Sequence, residues 1–256
     1  MMIFRALEFV TNNNSKTLIL ALTMSFCAHV EGQIITDRTD QTENSFTVGA
    51  RSLQIEPGMQ LEYDVPNGSF DFASVRSIVD PTSVFRFVMT KGGELRLLSQ
   101  FEDIKFERTQ GTGISDLEKA TKIQLLQKDA TNIGFLPHLI VLTGTSIVSG
   151  DDYGTINKLS LSYSLSEDVG IVHTLGFDYI SDSSNGDFAY SVAIGTRISN
   201  KVGVYVEPYG VLHEFEKGIL NCDAGVTYLL NSNFQFYFSF GTGIPPNMNY
   251  IALGYS

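Results

Sequence analysis

Four histidines, a run of alternating serines and a set of spaced charges are the residues whose types could do chemistry in this sequence. His213-Glu214-Phe215-Glu216 lacks the second histidine, four residues on, that a zinc-protease helix needs, so no metal is expected there. His29 lies in the N-terminal segment 1–32, which reads as a signal peptide. A serine nucleophile needs a histidine within about 3 Å. Ser160, Ser162 and Ser164 alternate with apolar residues, whereas His173 falls on the apolar register of the next segment, so the two would face opposite sides. Gly111-Thr112-Gly113 and Gly241-Thr242-Gly243 have no helix after them to make a phosphate loop. Asp151-Asp152 reads as an acidic loop tip rather than a calcium site. The sequence predicts no enzyme, no metal and no cofactor.

The charges are more informative. Glu56, Glu62, Arg86, Glu94, Arg96, Glu102, Glu118, Lys122, Lys158, Asp178, Arg197, Glu207 and Asp223 all fall on the polar register of alternating segments. If that register faces a narrow lumen, opposed acids and bases pair across strands and hold the wall, or set a transverse field along a water-filled path. Tyr205, Tyr209 and Tyr237 share it, and aromatic faces beside polar groups would suit a small aromatic or amphipathic solute, or fill the lumen as a plug. The expected pore-lining set is Arg86, Glu94, Arg96, Glu118, Lys122, His138, Arg197, Tyr205, Glu207, Tyr209, Asp223 and Tyr237.

The elements that would position these residues are strands. Leu53, Ile55, Met59, Leu61 and Tyr63 alternate with Gln54, Glu56, Gly58, Gln60 and Glu62; Phe234, Phe236, Phe238 and Phe240 alternate with Gln235, Tyr237, Ser239 and Gly241. Period-two alternation is the mark of a strand with one apolar face. Twelve such segments occur, roughly 51–63, 82–90, 94–106, 115–127, 131–143, 155–166, 169–181, 187–198, 202–212, 218–229, 233–242 and 249–256. Lys119 interrupts the apolar face of the fourth. Tight turns at Lys91-Gly92-Gly93, Lys128-Asp129-Ala130, Glu167-Asp168, Ser199-Asn200-Lys201 and Leu230-Asn231-Ser232 alternate with longer connections at 64–81, 107–114, 144–154, 182–186, 213–217 and 243–248.

Strand length separates two architectures. A secreted β-sandwich uses strands of about 5–6 residues, whereas a bilayer-spanning strand needs about 9–11. An even number of long antiparallel hairpins closes a barrel without edges. The polar face is rich in Ser, Gly and Ala rather than Lys and Glu, as inside a lumen. The expected fold is therefore an all-β transmembrane antiparallel up-and-down β-barrel of about 12 strands, with short periplasmic turns, longer external loops and both termini periplasmic. Outward, Tyr63, Tyr163, Tyr179, Tyr190 and Tyr228 would form the interfacial girdles in a chain without tryptophan.

Composition agrees. The 28 acidic against 17 basic residues give a charge of −11, which argues against nucleic acid as a partner. Lys16 precedes the apolar run Thr17–Ala28, which is shorter than the about 20 residues of a spanning helix, and Val30-Glu31-Gly32 offers a cleavage site before Gln33. Residues 1–32 read as a signal peptide, 33–50 as a periplasmic or lumenal segment, and 51–256 as the barrel. Cleavage leaves Cys222 alone, so no intramolecular disulfide is expected.

The sequence also resembles a known family. Thr36-Asp37-Arg38-Thr39-Asp40-Gln41-Thr42-Glu43-Asn44-Ser45 and Ser52-Leu53-Gln54-Ile55-Glu56-Pro57-Gly58 are similar to the opening of the outer-membrane barrels named "putative MetA-pathway of phenol degradation", many of which, notably from Bacteroidetes-type bacteria, are called transporters. The likeness continues through Glu94-Leu95-Arg96, Asp116-Leu117, Thr121-Lys122 and Val206-Glu207-Pro208-Tyr209-Gly210 to Asp223-Ala224-Gly225-Val226-Thr227-Tyr228-Leu229-Leu230-Asn231. It departs at Thr39, where the family usually carries proline, at Tyr237, where an aspartate is common, and at Ser256, where relatives run on to an aromatic last residue. The resemblance implies a passive outer-membrane channel.

The expected function is passage of small solutes, hydrophobic or aromatic compounds among them. Membrane lipid, the barrel-insertion machinery and an unidentified small molecule are the expected partners. The alternatives are a sealed barrel acting through its loops as an adhesin or scaffold, and a lipid-face hydrolase.

Overall fold

The computed structural model describes residues 34, 36–37, 41–49, 51–63, 75–90, 92–106, 109–149, 153–180, 185–244 and 249–256. The expected signal peptide, Asp151-Asp152 and most of the first long loop lie outside them. All regular elements among the described residues are strands: β1 (Leu53–Tyr63), β2 (Val75–Thr90), β3 (Gly93–Ser99), β4 (Phe101–Phe106), β5 (Thr109–Ile114), β6 (Leu117–Lys128) and β7 (Thr131–Val141) in the first half. The second half holds β8 (Gly154–Ser164), β9 (Val169–Ile180), β10 (Asp187–Arg197), β11 (Val202–His213), β12 (Lys217–Asn231), β13 (Phe234–Ile244) and β14 (Asn249–Tyr255).

Neighbouring strands pair antiparallel, and β1 pairs with both β2 and β14, so the sheet closes. Only Gln100 separates β3 from β4, and only Ser115 and Asp116 separate β5 from β6. Each of these pairs runs as one interrupted stave, which makes the barrel twelve-staved, as the alternation predicts.

Two boundaries differ from the sequence expectation. The second stave begins at Val75 rather than 82, although Asp80 and Pro81 discourage a strand. Register explains it: Gly58 pairs with Thr82 and Gln60 with Val79, so Asp80 and Pro81 bulge where proline's missing N–H costs no ladder bond. The fourth stave begins at Thr109, so the predicted 107–114 connection shrinks to residues 107–108 and long and short connections do not alternate strictly. Thr109-Gln110-Gly111-Thr112-Gly113 has weak strand propensity. The loop after β7 packs on its glycines, and a Cβ on Gly113 would meet Thr145 and Val148. The 213–217 loop is likewise only a three-residue turn, with Glu214 and Phe215 in the left-handed region. Asp187 holds that turn by accepting from Glu214 N at 2.9 Å, and Phe215 stacks on Phe177 and Phe188.

The burial pattern is inside out for a water-soluble protein. Phe236, Phe238 and Phe240 on β13 are exposed while Gln235, Tyr237, Ser239 and Gly241 are buried. Arg86, Arg96, Lys122, Glu56, Glu94 and Glu207 are among the most buried side chains in the molecule. A surface of Leu, Ile and Phe around a charged interior is stable when the outer solvent is lipid.

One tyrosine adds a side-chain bond to the β1–β14 ladder that closes the barrel. Tyr237 lies across β14 towards β1, and its hydroxyl donates to Pro57 O at 2.9 Å. It fits because Gly254 and Gly58 carry no side chain beneath it. A Cβ on Gly254 would sit 2.2 Å from the Tyr237 hydroxyl and 2.4 Å from Pro57 O, and the second atom is backbone that cannot swing away. Gly254→Ala should therefore destabilise the barrel by about 1–3 kcal/mol, the usual cost of overpacking. A lowered urea midpoint in phospholipid vesicles checks this, and an unchanged midpoint would mean the seam is loose.

Candidate functional site: the lumen and its N-terminal strap

Register sends Arg86 of β2, Glu94 and Arg96 of β3, Lys122 of β6 and Glu56 of β1 to the inside on adjacent staves. Arg86 is the hub. Its Nε and Nη2 form a fork on Glu94 at 2.7 and 3.1 Å, and its Nη1 donates to Glu56 at 2.8 Å. These are short, charge-assisted bonds in a site from which water is excluded.

The lumen also holds part of its own chain. Residues 36–37 and 41–49 lie against the inner faces of the staves and form a strap that leads into β1 at the end where the short turns lie. Asp37 bonds Lys122 Nζ at 2.5 Å, Arg86 Nη2 at 3.1 Å and Arg96 Nη1 at 3.4 Å. Glu43 bonds Arg96 Nη1 at 2.7 Å and Lys158 Nζ at 3.4 Å. Backbone groups of the strap are satisfied by the wall, as buried N–H and C=O groups must be. Asp37 N donates to Glu56 at 3.1 Å, Gln41 N to Glu207 at 2.9 Å, Glu43 N to Thr174 at 3.0 Å and Val48 N to Glu94 at 3.0 Å. Thr42 bridges Ser191 and Glu207, Ser45 bonds Ser162 at 2.7 Å, and Ser160 donates to Glu43 O. Gly134 lets the strap approach: a Cβ there would lie 2.8 Å from Ser45 O.

Burial alone would favour neutral carboxyls in the strap. For Asp37 the charges of Arg86, Lys122 and Arg96 outweigh that penalty and lower its pKa. For Glu43 the charges of Arg96, Lys158 and Lys122 do the same and hold it well below the usual carboxylate range.

Towards the loop end the strap gives way to a cavity of about 480 Å³. Asp37, Gln41 and Glu43 form part of its lining together with Arg96, His138 and Lys158, and Gln60, Glu62, Gln100, Glu102 and Glu118 contribute further polar groups. His138 Nδ1 lies 3.1 Å from Glu118.

On the opposite wall, Glu207 and Asp223 pair across β11 and β12, Tyr250 donates to Asp223 at 2.6 Å, and Tyr209 is buried beside them. Of the inward tyrosines, Tyr237 also lines the cavity. Tyr237 spans the seam, and Tyr205 packs on Gly225, where a Cβ would come within 2.5 Å of its ring. Arg197 keeps the inward register but sits half-exposed at the turn-end rim, paired with Asp168 at 2.7 Å, so it lies outside the buried lumen. His173 faces out and meets Tyr163 edge-on at 6.2 Å, whereas Ser160 and Ser162 face in, so that serine–histidine pair does not form.

Sequence reasoning did not single out Asp37, Thr42, Glu43 and Ser45 as lumen residues. They lie in a stretch without alternation, where no register rule applies. The available signal was on the wall, where four closely registered cations face two glutamates.

A closed barrel with an apolar outer belt and a charged, strapped lumen defines an outer-membrane β-barrel. The chain belongs to the family described as "Putative MetA-pathway of phenol degradation", which matches residues 36–251. Solved structures share the fold. The COG4313 outer membrane channel from Pseudomonas putida F1 is 11% identical with a TM-score of 0.63, covering 86% of this chain and 98% of that one. The KdgM porin in complex with disordered oligogalacturonate is 11% identical with a TM-score of 0.54, and the NanC porin is 9% identical with a TM-score of 0.53. Each covers 78% of this chain and 98% of its own. Comparison with curated proteins found no match.

Proposed function

We propose that the protein is a passive outer-membrane channel for small polar solutes, entered at the loop end and gated at the strap. The observation that carries this is the cavity of about 480 Å³ inside the barrel, lined by charged and amide side chains and floored by the strap. A small solute fits such a volume, and opposed acids and bases along it replace part of a solute's hydration. Tyr237 is the single aromatic among the described lining residues, beside many charged and amide groups, which favours polar over aromatic cargo. Residues 1–32 act as a cleaved export signal in this reading, and the barrel-insertion machinery is the assembly partner.

Purified protein reconstituted into liposomes should make them swell in isosmotic solutions of small polar solutes. A barrel that inserts fully yet gives no swelling and no conductance in planar bilayers overturns the channel. That outcome would favour the sealed barrel acting through its loops, a reading drawn from the strap's dense hydrogen bonding across the lumen.

A further inference from the structure

The wall cations divide into two groups by what neutralises them. Arg86 has two wall carboxylates, Glu56 and Glu94, besides its 3.1 Å contact to Asp37 of the strap. Lys122 and Lys158 have no acidic partner within 4 Å among the described residues except Asp37 and Glu43 of the strap. Arg96 keeps only a 3.8 Å contact to Glu94 besides those two. The strap thus supplies two carboxylates that the wall lacks, and both reach one nitrogen, Nη1 of Arg96, at 3.4 and 2.7 Å.

The second observation is unused hydrogen-bonding capacity on two side chains that line the cavity. Arg96 Nε and His138 Nε2 are buried and have no hydrogen-bond partner among the described residues, and both side chains line the cavity above the strap. Buried polar nitrogens without partners are uncommon and mark a position where another group belongs.

We propose that Arg96, Lys122, Lys158 and His138 form a dicarboxylate-binding site, that Asp37 and Glu43 occupy it as an internal ligand, and that a solute dicarboxylate takes it by displacing the strap. This rests on the channel reading and names the solute class that opens it. A solute entering from the loop end meets Arg96 and Lys158 first, because both already line the cavity, and then competes for Lys122. A guanidinium and two ammonium groups bind two carboxylates strongly once water is excluded. The pairing is reciprocal: whatever weakens the strap on the site tightens the solute on it.

The test is equilibrium dialysis of labelled succinate against the full-length, folded barrel in detergent, with succinamide as the neutral control. The parent protein should bind succinate weakly. D37N/E43Q, which keeps the shape of the strap and removes its charge, should bind it at least tenfold more tightly, and adding K122Q should return binding to the parent's level. Where D37N/E43Q does not fold, E43Q alone frees Arg96 and Lys158 and carries the same expectation. Equal succinate binding by parent and variant, or equal binding of succinamide, overturns the proposal and makes the strap's carboxylates purely structural. Reversal potentials in planar bilayers separate the two levels of inference. Conductance without a succinate difference leaves the channel and removes the site, whereas the expected succinate pattern without conductance in any variant leaves the site and removes the channel.

Discussion

Phe238→Arg should prevent folding into bilayers under conditions in which Ala252→Arg folds normally. The two positions lie near each other on adjoining staves and differ only in face. Phe238 is 42% exposed between Val226 and Leu253, its outward partners on β12 and β14. Ala252 pairs with Gln60 and Ser239 and lines the lumenal cavity that also contains Glu62 and Glu102. Arginine on the lipid face near the midplane costs about 2–4 kcal/mol, which is roughly a thirtyfold to thousandfold loss in the folding equilibrium. In the cavity the same side chain meets water and carboxylates and costs little. Folded fraction is read from the heat-dependent mobility shift on gels after refolding into vesicles. Equal yields for the two variants would mean that the outer belt does not face lipid.

That face assignment is also where sequence and structure agree best, for a physical reason. Side-chain direction in a strand has period two, so one correct position fixes a whole stave. The strictly alternating Phe234–Phe240 segment is read without ambiguity. Legibility failed where tertiary pairing overrides local preference. Asp80-Pro81 looks like a loop but is a bulge stabilised by its partner strand, and Thr109–Gly113 reads as part of a connection but pairs with β4. It failed differently for the site. The inward charges were recoverable from register, yet Asp37 and Glu43 reach them from a segment with no period at all. Only the imbalance of the wall charges pointed to a missing partner.

The network around Arg86 carries the second large effect. Arg86→Met should destabilise the barrel by about 3–5 kcal/mol, because removing one partner of a buried ion pair leaves uncompensated charge. Here it leaves three carboxylates, Asp37, Glu56 and Glu94, converging on an apolar side chain. Size is not the cause, since methionine fills much of the arginine's volume. Two controls separate charge from packing. Adding Glu56→Gln and Glu94→Gln to Arg86→Met removes the repelling charges and should recover most of the loss, since replacing a whole buried network costs far less than breaking one. The second control is pH. In the parent, Asp37 and Glu43 have lowered pKa values, so their stabilisation is complete above the unfolded carboxylate pKa and is lost as pH falls below about 5. In Arg86→Met, protons instead relieve repulsion among the three acids. Acid therefore weakens the parent more than the variant, and the gap between their urea midpoints should narrow steadily from pH 7 to about pH 4. A gap that stays constant with pH, or a triple variant no more stable than the single one, would show that Arg86 acts through packing and not as the charge that holds strap and wall together.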